Sequence, residues 1–206
     1  MASSLVGLGT LPVTAWTFSQ ADVGRVSLFQ VTVTFVMILA TLGLDQSFVR
    51  EYHEREDPAL LFRDCILPPM VMMAAVSVLA VAFAGQLARA LFGTESTSVI
   101  MLLVIGAWAS LFARFFLLIL RMDERGLAHS AGLVAPRVSF LVLLVAAAVV
   151  VDRPGFWLLA AALTGANVVG GLWVVVATRS VWRGSGSWRQ RAENLPTQLR
   201  FGLPLM

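Results

Sequence analysis

Arg114 stands inside an unbroken run of apolar residues, Val99 to Leu120, where a fixed positive charge has few uses. By the helical rise it lies about 9 Å inside the end of that run. Two readings are open. In a cavity, the guanidinium would meet a phosphate or diphosphate through its forked N–H donors. Alternatively it snorkels, its stem lying along the helix and its head reaching the headgroups. Ser110 and Ala107, four and seven residues earlier, share its helix face and would form a narrow strip of small residues. Asp45 and Gln46 close an earlier apolar run. They could couple to protons or cations, or touch sugar hydroxyls, but ending a helix at an interface is the simpler role. Arg50 opens an alternating charge series that reaches Asp57; Arg50 with Glu54, and Glu51 with Arg55, stand four apart and can pair on a solvated helix face. Asn167 sits among Gly165, Gly170 and Gly171. Ala166 and Gly170 make a small-xxx-small pair suited to close helix packing, with Asn167 bonding across the contact.

Little else in the chain could do covalent chemistry. His53-Glu54 is half of a metal-binding box without a partner, and the only other histidine is His129, so a solvated loop histidine is the better reading. There is no Walker motif, nucleophile elbow, Gly-rich dinucleotide loop or cluster of metal ligands. The expectation is therefore no enzyme, no cofactor and no metal. Cys65 is the sole cysteine, which excludes an internal disulfide.

The elements that must position these residues are apolar segments. Of 206 residues, 58% are hydrophobic and 13% charged, with mean hydropathy +0.83; a soluble chain carries about 25% charged residues. The class is an all-α polytopic membrane protein, read from run lengths. Six spans are expected: Ala2 to Phe18 (marginal in length), Val26 to Leu44, Ile66 to Ala84 with Pro68-Pro69 in its first turn, Val99 to Leu120, Val138 to Val151 (short), and Phe156 to Ala177. Residues Asp45 to Asp64 read as a charged loop, and 121–137 as a second. Thr32, Thr34 and Thr41 can bond back to their own helix carbonyls, so they do not argue against the second span. Met1 to Phe18 lacks a basic start, and Gly7, Gly9 and Pro12 interrupt it, so no cleavable signal is read there.

All fifteen basic residues are arginine. A net charge of +3 would suggest nucleic acid in a soluble chain, but here topology explains the arginines better and no nucleic-acid partner is expected. The loops after the second, fourth and sixth spans hold Arg50, Arg55, Arg63, Arg121, Arg125, Arg137, Arg179, Arg183, Arg189 and Arg191. The other loops hold only Arg25, Arg89 and Arg153. Ten against three in strict alternation places the N-terminus and the 179–200 connector in the cytoplasm. Trp157, Trp173, Trp182 and Trp188 fall near the expected interfaces, as an aromatic belt should.

Three stretches carry a family resemblance. Gly43-Leu44-Asp45-Gln46-Ser47-Phe48-Val49-Arg50-Glu51-Tyr52-His53-Glu54 resembles the second-helix exit of bacterial polysaccharide flippases. These are the O-antigen and capsule lipid-linked oligosaccharide transporters of the multidrug/oligosaccharidyl-lipid/polysaccharide exporter superfamily. Leu120-Arg121-Met122-Asp123-Glu124-Arg125 and Leu199-Arg200-Phe201-Gly202-Leu203-Pro204-Leu205 agree with it in order and spacing. The resemblance implies two six-helix halves around a central cavity. This chain would supply the N-terminal half: a bundle over 1–178 with its first helix shortened, a connector over 179–200, and the start of a seventh helix over 201–206. It further implies an inner-membrane flippase for an undecaprenyl-pyrophosphate-linked oligosaccharide, working by alternating access among membrane lipids and completed by a C-terminal half. Two alternatives stand beside it: a multidrug or toxic-compound exporter of the same superfamily, which should carry intramembrane carboxylates, and a non-transporting scaffold or gene remnant.

Overall fold

The structure is a computed structural model that describes residues 10, 12–54, 58–150 and 155–179. Residues 12–17 are helical, and seven labelled helices follow: α1 (Gln20–Thr41), α2 (Leu44–Glu51), α3 (Pro58–Ala82), α4 (Ala84–Phe92), α5 (Ser98–Met122), α6 (Gly126–Val150) and α7 (Phe156–Ala177). No strand occurs among the described residues. Helices α1, α3, α5, α6 and α7 are long and apolar enough to cross a membrane. The fold is an all-α membrane bundle. Most of the expected first span, nearly all of the connector and the whole of 201–206 lie outside the described residues.

Local chemistry sets the boundaries. The Ser19 hydroxyl accepts the backbone N–H of Asp22 at 3.1 Å, capping α1, and the acidic Asp22 suits the positive end of the helix. Thr32 and Thr34 donate to the carbonyls of Leu28 and Gln30, at 2.8 and 2.9 Å, which satisfies them inside an apolar segment. The helix stops where Leu42 and Gly43 both turn left-handed, at φ 50° and 69°. That break comes before Leu44, the expected span end, and α2 begins at once, a short helix at the start of the charged stretch as the four-residue charge spacing suggests.

Two proline-based boundaries are corrected. Helix α3 begins at Pro58 and carries Pro68-Pro69 in its middle, so Asp64 is a helical residue and buried. Helix α6 begins at Gly126, well before the expected Val138, and contains Pro136 and Arg137. Proline reads as a stop in water because it removes a backbone donor and crowds the preceding turn. In a membrane bundle a neighbouring helix can accommodate it. Gly170 of α7 does so for Pro136: a Cβ at Gly170 would lie 3.0 Å from the ring.

Helix α7 packs against both α5 and α6. Its small residues allow close approach, since a Cβ on Gly171 would come within 3.2 Å of the Ala109 carbonyl oxygen on α5. The Thr164 hydroxyl adds a bond to the Leu102 carbonyl at 3.2 Å. The packing expected of Ala166 and Gly170 is present, both being buried. A buried core joins Phe29, Phe92 and Phe156 at one level and Phe48, Phe62 and Phe116 at another. Val31 and Phe35 of α1, Val71 and Val78 of α3, and Val142 and Val149 of α6 stay exposed, as a lipid-facing surface requires.

At the end where α1, α5 and α7 finish, side chains tie the loops together. The Tyr52 phenol donates to Asp123 at 2.5 Å, and Arg125 donates to the last α7 carbonyl, that of Ala177, at 2.7 Å. Tyr52 lies outside the spans. Burial first, then its hydrogen bond to Asp123 and that carboxylate's charge, push the phenol far above its ordinary value.

Candidate functional site

Asp45 sits in the first turn of α2, set there by the left-handed Leu42-Gly43 break. Arg114 projects from α5. Its Nε and Nη2 both donate to Asp45 Oδ2, at 3.0 and 2.5 Å. The two partners differ in exposure: the Asp45 side chain is 5% exposed and that of Arg114 41%. Asp45 therefore holds the guanidinium from behind, while donors not spent on the carboxylate remain on the open side. The contact gives Arg114 a partner that neither sequence reading named. The reading of Asp45 as a helix terminator is corrected: it starts a helix, buried, in an ion pair with a residue 69 positions away.

Arg114 opens on a cleft of about 290 Å³ that also includes Ser110 of α5, Pro136 of α6, and Asn167 and Gly170 of α7. Three of the residues singled out from sequence, Arg114, Ser110 and Asn167, thus meet in one place. The side chain of Asn167 makes no hydrogen bond to another described residue, so it faces the cleft instead of bonding across the helix contact. Gln46 is exposed; its amide donates to Asp45 Oδ2 at 3.4 Å without lining the cleft. Arg50 is also exposed at the end of α2 and takes no part. His53 packs edge-on against the Tyr52 ring. Among the described residues no three His, Cys, Asp or Glu side chains gather to hold a metal.

A second cleft of about 460 Å³ shares Leu133, Pro136 and Asn167 with the first and extends to Arg137, Gln30, Ser27 and Thr14. Sequence reasoning missed Arg137 by placing it in a loop, and missed Gln30 by absorbing it into a span. A usable signal existed: Gln30 and Ser27 stand three apart on one face of α1, and the apolar character around Arg137 continues on both sides of Pro136. Elsewhere, a cavity of about 550 Å³ between α1, α3, α4 and α5 is walled almost wholly by apolar side chains, and Trp108 donates to the Ser77 hydroxyl beside it at 3.0 Å.

The joined polar clefts offer an anchored cation, amides and hydroxyls within a bundle whose outer surface is apolar. Such a lining suits an anionic, hydroxyl-bearing group brought into the membrane. No curated protein and no solved structure matches the chain. The profile of the family described as polysaccharide biosynthesis protein matches residues 1–206. With that match spanning the sequence and the multi-pass helical fold beneath it, the chain belongs to the polysaccharide biosynthesis protein family.

Proposed function

We propose that the chain helps move an undecaprenyl-pyrophosphate-linked oligosaccharide across the bacterial inner membrane, as a flippase component and without covalent catalysis. The observation that carries this reading is the Arg114 guanidinium, fixed by buried Asp45 and opening on a cleft with Ser110 and Asn167. Arg114 stands eight residues before the end of α5 at Met122, hence about 12 Å into the bundle. A diphosphate drawn to that depth exchanges its water for a preset cation, while its polyprenyl tail stays in the bilayer. Asp45 neutralises Arg114 when no substrate is bound, which lowers the cost of holding a charge there. A cation-coupled exporter instead needs a carboxylate that loads and releases its cation, a role that the Arg114 contact opposes.

In this proposal the arginine-rich end faces the cytoplasm, with the N-terminus. The structure carries Arg63 into α3 and Arg137 into α6, and the eight other arginines expected on that side still outnumber Arg25, Arg89 and Arg153 on the other. Helix ends α1, α5 and α7 then meet the leaflet where the substrate is made. Alternating access needs a second bundle across the cleft, on the same polypeptide or another.

Deleting the gene in its source bacterium tests the reading. Lipid-linked oligosaccharide should accumulate in the cytoplasmic leaflet, be cleared by the wild-type gene, and persist with Arg114→Ala produced at equal level. An unchanged leaflet distribution on deletion would sink the proposal.

A further inference from the structure

We infer that the apolar cavity between α1, α3, α4 and α5 holds one acyl chain of a phospholipid from the leaflet at the end opposite the arginine-rich one, with the lipid phosphate at Arg89. The inference stands apart from the reading of Arg114. The cavity, of about 550 Å³, begins under α4 and runs inward. Ring contacts fix its top: Phe29 of α1 and Phe156 of α7 both meet Phe92 of α4, with centroids 6.0 and 5.3 Å away. Three lining residues mark its depth. Val36 lies seven residues past Phe29 on α1, Ala107 nine beyond the start of α5 at Ser98, and Met73 ten before Phe83 at the joint of α3 and α4. By the helical rise all three lie about 10–15 Å in. That is one leaflet's share of a hydrocarbon core about 30 Å thick. A single chain of a leaflet lipid fits such a slot, whereas a long polyprenyl tail overruns it.

The walls call for hydrocarbon. Three polar residues line the cavity, Thr32, Ser77 and Gln86. The Thr32 hydroxyl is spent on the Leu28 carbonyl at 2.8 Å. Ser77 donates to the Met73 carbonyl at 2.7 Å and accepts the Trp108 indole N–H at 3.0 Å. Neither leaves a polar group in need of water, so the inner part of the slot is dry. Left empty, it would forfeit the dispersion contacts of its lining. It opens sideways, because Leu79 and Phe83 line it and are 59% and 51% exposed on the apolar outer surface. Gln86 supplies the polar end: it is exposed on α4 and makes no hydrogen bond to another described residue. Arg89 follows three residues later on the same helix face. Arg89 meets Glu95 at 3.4 Å, but both side chains are mostly exposed, and such a pair contributes little. Its guanidinium can therefore turn donors to a phosphodiester standing above a chain in the slot.

The test uses the full chain in mild detergent, with retained lipid counted by native mass spectrometry. Three probes are added singly and in competition: phosphatidylethanolamine, whose ammonium suits Glu95, diacylglycerol with the same chains, and undecaprenyl phosphate. The wild type should hold one phosphatidylethanolamine per chain, roughly tenfold more tightly than diacylglycerol, as a charge-assisted hydrogen bond to the phosphate requires. Undecaprenyl phosphate should not displace it. Ala80→Phe, which fills the slot from α3, should abolish retention of both glycerolipids. Arg89→Gln alters an exposed side chain, so it tests the site even where Ala80→Phe fails to fold; it should bring phosphatidylethanolamine down to the level of diacylglycerol and leave diacylglycerol unchanged. No retained glycerolipid on the wild type, undiminished retention in Ala80→Phe, or unchanged preference in Arg89→Gln would overturn the inference. Displacement by undecaprenyl phosphate would give the slot to a polyprenyl tail, and a dimer dissolved by Ala80→Phe would give it to a second copy; either result overturns it as well.

Discussion

The Arg114–Asp45 pair makes an asymmetric prediction. Breaking a fully buried ion pair by removing one partner costs about 3–5 kcal/mol, because a charge is left without compensation. Here only Asp45 is fully buried, at 5% exposure, whereas Arg114 at 41% keeps part of its solvation. Arg114→Met strands the Asp45 carboxylate with little beyond the Gln46 amide at 3.4 Å. Its cost should lie at the lower end, about 3 kcal/mol, after allowing for screening on the open side. Asp45→Asn leaves a neutral amide that can still accept one N–H, and a guanidinium that can turn to the cleft; about 1 kcal/mol is expected. The double variant removes the stranded charge altogether, so it should be more stable than Arg114→Met alone by about 1–2 kcal/mol. Reversible unfolding in mixed detergent micelles, followed by far-ultraviolet circular dichroism, measures all four proteins. If Asp45→Asn proved the more damaging single change, or if the second substitution deepened the loss, the burial argument would be refuted.

Other outcomes follow from single contacts. Tyr52→Phe should cost about 1.5–3 kcal/mol in thermal or detergent unfolding, since it leaves a part-buried carboxylate without its donor. Because the folded phenol titrates above its unfolded value, the wild type holds this stability at neutral pH and up to about pH 10, then loses it as pH rises further, whereas Tyr52→Phe does not. Gly171→Ala sets a methyl 3.2 Å from a backbone carbonyl that cannot swing away, so α5 and α7 must part; a loss of about 1–3 kcal/mol is expected in the same assay. For topology, a cysteine at Glu124 should react with an impermeant maleimide only in inside-out vesicles and one at Thr94 only in intact spheroplasts. Native Cys65 is buried and should stay silent.

The membrane class was legible because it depends on apolar run length, a local property. The second, fourth and sixth expected spans survive as α1, α5 and α7 with small shifts. The failures share a cause. Pro68-Pro69 and Pro136 were read by the rules of isolated helices, but in the bundle α6 has the bare backbone of Gly170 beside its proline ring. That misreading moved Arg137 into a loop and hid it from the site. Asp45 was misjudged for a related reason: only the folded chain brings α2 under α5, and nothing near Asp45 in sequence announces Arg114. Arg114 itself was visible, since a charge within an apolar run needs an explanation on its own. Ser110 followed from helix periodicity. Asn167 was noticed for its glycine neighbours, but which side of α7 it faces depended on where α6 lies.

The central claim is that the cleft at Arg114 receives the headgroup of a diphosphate lipid. A photoreactive amino acid placed at Ser110, which lines that cleft, tests it directly in living cells. Irradiation followed by mass spectrometry should recover the chain joined to an undecaprenyl-diphosphate saccharide, and Arg114→Gln should abolish the adduct. Recovery of bulk phospholipid alone, or an adduct that persists undiminished in Arg114→Gln, would contradict the account.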